Sequence, residues 1–224
     1  MRLLFFLLRP VYHLLYHQFA WTYDFVAALV SAGRWKDWVR TALPYLQGRV
    51  LEIGFGPGHL QLAMHERGLR SFGLDESRQM ARQAGRRLRR AGLRPHLARG
   101  RAQTLPFAAS VFDSVVATFP SEYIFDPGTL REIRRVLLPG GELVIVGSAW
   151  PTGSHPWARL AGWLLRVTGQ GAPLQALIPG VAARFRETGF EVRHEILEAP
   201  GGQVLVFFAR SNQTGAERRA PKRR

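Results

Sequence analysis

Apolar and polar positions change rhythm several times along the chain. In residues 1–46, Tyr16, Phe19, Ala20, Tyr23 and residues 25–29 supply an apolar surface punctuated by Gly33 and Pro44, which predicts helices. At residues 50–53 the pattern becomes a short β-rich run that stops at Gly54-Phe55-Gly56-Pro57-Gly58, and a helical stretch follows over about 59–67. A second strand over 70–74 ends in Asp75. Ser77 can cap a helix running to about residue 91, with Met80, Ala81, Ala84, Leu88 and Ala91 as one apolar stripe. Further strands are predicted at 95–98, 112–119 and 142–147, with a helix over about 127–137 between the last two. Strands that alternate with helices imply a mainly parallel sheet covered on both faces.

The alternation breaks at about residues 151–180, where helical pieces such as 157–167 lie among several prolines and glycines. This reads as an insertion. The pattern resumes with a helix over about 181–188, a strand over 190–197, the turn Pro200-Gly201-Gly202 and a last strand over 203–209, the two strands forming an antiparallel pair. From Ser211 to Arg224 the chain is polar and charged, as expected of a disordered basic tail. The expected organisation is therefore an N-terminal helical cap over 1–46, an α/β domain over 47–210 carrying the insertion, and the tail over 211–224.

Composition narrows the chemistry. The 224 residues suffice for one α/β domain with a sizeable core, and the absence of cysteine excludes disulfides, thiolate metal sites and a cysteine nucleophile. The histidines form no HExxH arrangement, and His13 with His17, at helical spacing, lack an adjacent carboxylate, so no metal site is expected. Thirty-one Lys and Arg against sixteen Asp and Glu leave a formal charge of +15, which favours anionic partners such as nucleic acid or acidic lipid head groups. Nine arginines lie between Arg78 and Arg101. Those on the helix after Asp75 alternate with apolar positions and read as a solvated face in preference to a nucleic-acid groove. The apolar run at residues 3–8 is too short for a signal-peptide core or a membrane span, so a cytoplasmic protein is expected. Residues 1–16 read as a cap over a substrate pocket, with peripheral contact to an anionic membrane surface, made with the basic tail, as the alternative.

The candidate chemistry centres on residues 50–58. Glycines let the chain turn sharply out of a strand and let a ligand approach main-chain N–H groups. Asp75 closes the second strand 21 positions after Gly54, where an open α/β sheet places an acidic side chain to accept from ribose hydroxyls. Glu52 precedes the glycines, and a carboxylate there would repel a pyrophosphate while suiting an amino group or a sulfonium.

Four segments in order, Glu52 to Gly58, then Gly73-Leu74-Asp75-Glu76-Ser77 with Met80, then Leu105-Pro106-Phe107 with Phe112-Asp113, then Leu137-Leu138-Pro139-Gly140-Gly141, resemble the class I S-adenosylmethionine-dependent methyltransferases. The resemblance is to the branch that includes the ubiquinone and menaquinone biosynthesis methyltransferases, and it covers about residues 48–148. It implies a Rossmann-like fold whose mainly parallel seven-stranded sheet ends in an antiparallel last strand. It also implies S-adenosylmethionine as cofactor. By the same resemblance Glu52, Gly54, Phe55, Gly56 and Gly58 would line its methionine end, and Asp75 would hold the ribose. Glu76 and Met80 would flank ribose and adenine, Ala102 and Gln103 would meet the adenine edge, and Thr118 with Phe119 would end the strand beside the reactive methyl. The acidic residue that the family usually carries at or just before positions 102 and 103 is missing: Arg101, Ala102 and Gln103 stand there.

A sulfonium already makes its methyl group electrophilic, so such a protein mainly aligns a nucleophile and excludes water. Acceptor contacts or a general base are expected from Tyr23, Glu122, Tyr123 and His155, beyond the C-terminal ends of the strands. Asp113 and Pro139-Gly140-Gly141 read as structural turns. The abundant aromatics favour a small or lipophilic acceptor. Two rival readings stay open: a methyltransferase acting on RNA or another nucleic acid, and a non-catalytic scaffold that keeps the cofactor fold. The oligomeric state is not legible in the sequence.

Overall fold

The structure, a computed structural model, describes residues 33–152 and 178–211. Its helices are α1 Trp35–Arg40, α2 His59–Glu66, α3 Arg78–Arg90, α4 Pro127–Val136 and α5 Ile178–Glu187. Its strands are β1 Arg49–Ile53, β2 Arg70–Asp75, β3 Leu97–Arg99, β4 Phe112–Thr118, β5 Leu137–Pro151, β6 Phe190–Ala199 and β7 Gly202–Ser211. Short 3-10 turns occupy Leu43–Tyr45 and Glu122–Phe125.

The seven strands form one sheet in the order β3-β2-β1-β4-β5-β7-β6. Neighbours from β3 to β5 pair in parallel, and β7 runs antiparallel to both β5 and β6. The pleat sends alternate residues to opposite faces, and both are covered. On one face Val50, Val116, Val144, Val146, Val206 and Phe208 pack with Trp38, Leu43, Leu60 and Met64. On the other, Leu51, Ile53, Val115, Ile145 and Phe207 pack with Leu130, Ile133 and Phe185. Strand order reverses between β1 and β4, the position at which open α/β sheets leave a crevice beyond the carboxyl ends of the strands.

Several boundaries differ from the sequence reading, each for a local reason. Pro139-Gly140-Gly141 does not precede a strand; it is a bulge inside β5. Phe112 pairs with Leu137, but Ser114 pairs with Glu142, so β5 spends four residues opposite Asp113 alone. Gly140 takes φ +77° there, and a Cβ at Gly141 would stand 2.9 Å from the Leu138 carbonyl oxygen and 3.0 Å from that of Asp113. β4 stops at Thr118, one residue early, because Phe119 takes φ +47° and leaves the strand conformation. α5 begins at Ile178, ahead of the expected 181. Ser211, expected as the first tail residue, is buried in β7 opposite Phe190. Residues 33–46 hold only α1 and one 3-10 turn, and Trp38, Val39, Ala42, Leu43 and Leu46 are buried in the core of the α/β unit itself. The other expected cap residues, the helical pieces at 157–167 and the tail from 212 onward lie outside the described residues. Among the described residues no helix is long and apolar enough to cross a membrane, and no group of three His, Asp or Glu could hold a metal ion.

Candidate functional site

The glycine loop leaves β1 at the reversal point and enters α2 by a run of left-handed glycines, with φ +74° at Gly54, +50° at Gly56 and +82° at Gly58. Side chains rarely adopt these angles, which is why glycine recurs. Each glycine answers a different neighbour. A Cβ at Gly58 would stand 2.7 Å from the Cβ of Ala84, because α3 crosses directly against the loop. At Gly54 it would meet the Tyr123 hydroxyl at 2.4 Å, whereas at Gly56 nothing lies within 4 Å. The space over Gly56 is therefore open.

Asp75 ties this loop to β2. Its Oδ2 accepts from the Gly56 N–H at 2.9 Å and its Oδ1 from the Ser77 N–H at 2.8 Å. Burial raises its pKa, and those two N–H donors oppose the rise. An ionised carboxylate has about four acceptor positions, so Asp75 keeps capacity for a ligand's hydroxyl groups.

Glu52 stands behind the loop instead of on its surface. It shares the pleat face of Val50, lies under α2 and is 1% exposed. Its Oε2 accepts from Gln61 Nε2 at 2.8 Å; that amide also donates to the Phe72 carbonyl at 3.1 Å, and Gln61 Oε1 accepts from Ser71 Oγ at 2.9 Å. Burial pushes the Glu52 carboxyl up to about 8, the negative charge of Asp75 adds to the rise, and the Gln61 hydrogen bond opposes it. A cation held near the loop would draw it toward the charged form. Sequence reasoning missed Gln61, whose signal was a lone polar residue beside Leu60, Ala63 and Met64 on the buried side of α2. Phe55 also turns inward: it is 3% exposed, and Gly73 leaves room for its ring, so only its backbone reaches the loop surface.

Beyond β2, Glu76 is exposed and lies 3.9 Å from Arg101 Nε. Met80 is half-buried in the first turn of α3, its N–H donating to the capping Ser77 Oγ at 3.3 Å. Ala102 is buried in the core, while Gln103 is half-buried with its Cγ 3.7 Å from where a Gly128 Cβ would stand, at the start of α4. A clamp absent from the sequence reading fixes this connection. Glu132 Oε2 accepts from the Leu105 N–H at 2.7 Å, and Arg135, paired with Glu132 at 2.7 Å, donates to the carbonyls of Phe107 at 2.7 Å and Leu105 at 3.0 Å. The Leu105-Pro106-Phe107 segment is thus held by main-chain contacts.

At the end of β4 the Phe119 N–H still donates to the Val146 carbonyl at 2.7 Å, although its φ is left-handed. Its ring packs against Trp35 with centroids 4.2 Å apart. β5 carries a second bulge beside it, at Gly147, and continues past β4 paired only with β7. A bulge and a strained residue at one strand end are features that gather at binding sites. Thr118 is half-buried at the same edge. The structure brings Tyr123 to the loop, its hydroxyl donating to the Ile53 carbonyl at 3.4 Å, whereas Glu122 is exposed. Tyr23 and His155 lie outside the described residues. Asp113 sits at the start of β4, at the opposite end of the strands from the loop, where its Oδ2 accepts from the Arg49 N–H at 2.8 Å.

Comparison with known proteins adds several similarities to this geometry. Residues 51–145 match the family model described as a methyltransferase domain. The chain is 34% identical over 116 residues to the uncharacterized methyltransferase YdaC of Bacillus subtilis, an alignment covering 49% of this chain and 62% of that protein. It is 32% identical over 139 residues to the demethylmenaquinone methyltransferase of Thermus thermophilus, covering 59% and 63%. The chain thus spans less than two thirds of the length of either relative. Among solved structures, one of a putative S-adenosyl-L-methionine-dependent methyltransferase from Methanococcus maripaludis superposes with a TM-score of 0.65 at 19% identity, covering 88% of this chain and 94% of that one. That similarity establishes a shared Rossmann-like methyltransferase fold.

Proposed function

Taking as premise the methyltransferase domain that residues 51–145 carry, we propose that the chain transfers a methyl group from S-adenosylmethionine to a small lipophilic acceptor of the quinol-precursor kind. The observation that carries this reading is the open glycine loop closed onto Asp75 by the Gly56 N–H, with a buried carboxyl behind it. The residues present fit the cofactor. Open space stands over Gly56, Asp75 has spare acceptor positions, and Glu52 places a chargeable group behind the turn without blocking it.

When bound, S-adenosylmethionine supplies an electrophilic methyl group on a sulfonium. The chain's own task is alignment and the exclusion of water. Gly54, Gly56 and Gly58 would receive the methionine end through main-chain groups, Asp75 would accept from the ribose hydroxyls, and Glu76, Met80 and Gln103 would border ribose and adenine. Ala102 would contribute through its backbone, since its side chain is buried. Thr118, Phe119 and the Tyr123 hydroxyl stand between this loop and the end of β4, where an acceptor would approach. A phenolic or carbon acid acceptor would need a proton removed, and Tyr123 and Glu122, with Tyr23 and His155, are the groups proposed for that step or for acceptor contacts. The test is transfer of a labelled methyl group to demethylmenaquinol-type and other phenolic acceptors. Turnover with a quinol precursor supports the reading; a chain that binds the cofactor yet transfers only to RNA would overturn the acceptor class.

A further inference from the structure

The helix after Asp75 has a face that the site does not use. In α3, Arg78, Arg82, Arg86 and Arg90 recur every fourth residue, all exposed, and Arg89 stands beside them. Arg94, Arg99 and Arg101 extend the exposed positive surface over the neighbouring β3 side. No Asp or Glu occurs between Arg78 and Phe112, and among the described residues no carboxylate pairs with Arg82, Arg86 or Arg90. A merely solvated helix face gains stability by mixing signs at i,i+4, and like charges at that spacing oppose helix formation. The buried side of α3, through Ala84, Gly85 and Leu88, already satisfies the fold. The opposite edge of the sheet differs: β6 intersperses Glu191, Glu195 and Glu198 with Arg193, which pairs with Glu195 and lies 3.9 Å from Glu142.

We propose that the arginine ridge of α3 is a docking surface for an anionic lipid bilayer. A straight row about 20 Å long on a convex helix presents its charges in one line, which suits a plane of phosphate and carboxylate head groups. A convex helix differs from the groove that tracks a phosphate backbone. Residues 78–101 hold no Phe, Tyr or Trp on which an unpaired base could stack, the features that would mark a single-stranded nucleic-acid surface. Guanidinium groups pair with phosphate through two parallel hydrogen bonds, so the ridge reads head groups by contact as well as by charge. The surface is distinct from the glycine loop, and its loss leaves cofactor binding in place.

The test is co-sedimentation of the full chain with vesicles of phosphatidylcholine alone and of phosphatidylcholine with one third phosphatidylserine, at low and high salt. The wild type is expected to bind the anionic vesicles only, and less at high salt. The triple variant Arg82→Gln, Arg86→Gln, Arg90→Gln should weaken that binding by roughly 100-fold, three charges each contributing near the surface, while binding S-adenosylhomocysteine as the wild type does. Arg218→Gln, Arg219→Gln and Arg223→Gln together in the tail serve as the charge-matched comparison and should weaken it less. Wild type that fails to bind anionic vesicles would overturn the proposal. So would a triple variant that binds them unchanged, a tail variant with the larger loss, or a duplex RNA or DNA that displaces the protein from vesicles at equal phosphate.

Discussion

The two sides of the strand-order reversal are built differently. On the β1–β2 side nearly every polar group of the site is held by another part of the chain: Asp75 by two main-chain N–H groups, Glu52 by Gln61, Gln61 by Ser71 and Phe72. On the β4–β5 side β4 stops at Thr118, and β5 continues past it to Pro151 on β7 alone. Beyond β4 stand an exposed Glu122, a Tyr123 whose hydroxyl makes a long hydrogen bond to the Ile53 carbonyl, and stretches outside the described residues. On the proposed reading the framed side would receive the cofactor and the irregular side the acceptor.

The glycine loop offers the sharpest way to break that comparison. Gly58→Ala adds left-handed strain to a Cβ packed 2.7 Å from Ala84 and 3.0 Å from its backbone, and should lower unfolding free energy by about 2–4 kcal/mol in urea titration. Gly56→Ala meets no neighbour, so its stability loss should stay near 1–2 kcal/mol. Its effect should fall instead on cofactor affinity, which calorimetry would register as a loss of at least roughly tenfold. Equal effects of the two on both measurements would remove the distinction between a packing glycine and a ligand-facing one.

Glu52 gives the next effect. Its folded-state value of about 8 exceeds the ordinary 4.5, so between those pH values the folded protein holds a proton that the unfolded chain releases. The contribution is complete below pH 4.5 and is lost as pH rises through 8, on the order of 2–5 kcal/mol. Glu52→Gln keeps a carbonyl oxygen for Gln61 and should flatten this part of the stability–pH curve. Melting curves across pH 5–9 with an unchanged slope would show that Glu52 is not the group responsible.

Opening the Leu105 clamp should cost less. Glu132→Ala strands the Leu105 N–H and removes the partner of Arg135, for an expected loss of about 1–3 kcal/mol in urea titration. Tyr123→Phe, on the β4 side, should change stability by less than about 1 kcal/mol, since its hydrogen bond is long. A slower methyl transfer with unchanged cofactor affinity in that variant would place the hydroxyl on the acceptor side of the comparison.

The same asymmetry governs what the sequence makes legible. Apolar runs bounded by glycines marked the strands, and the spacing of Gly54 to Asp75 marked the loop and its carboxylate partner, because these signals are local or nearly so. Pro139-Gly140-Gly141 reads as a turn because the bulge depends on Leu137 already pairing with Phe112, which no window of residues reveals. Ser211 belongs to the tail by composition, while its burial depends on Phe190 across the hairpin. Gln61, the Glu132–Arg135 clamp and the stacking of Trp35 on Phe119 join residues distant in sequence, and tertiary packing alone selects them.

The most direct measurement is calorimetric titration of the full chain with S-adenosylmethionine and S-adenosylhomocysteine, with Asp75→Ala and Asp75→Asn as variants. The wild type should bind both saturably at one site. The alanine variant should lose about 100-fold or more, the asparagine variant less, because its amide oxygen still accepts one of the two main-chain N–H bonds. A wild type that melts cooperatively yet binds neither compound would contradict the cofactor site on the β1–β2 side.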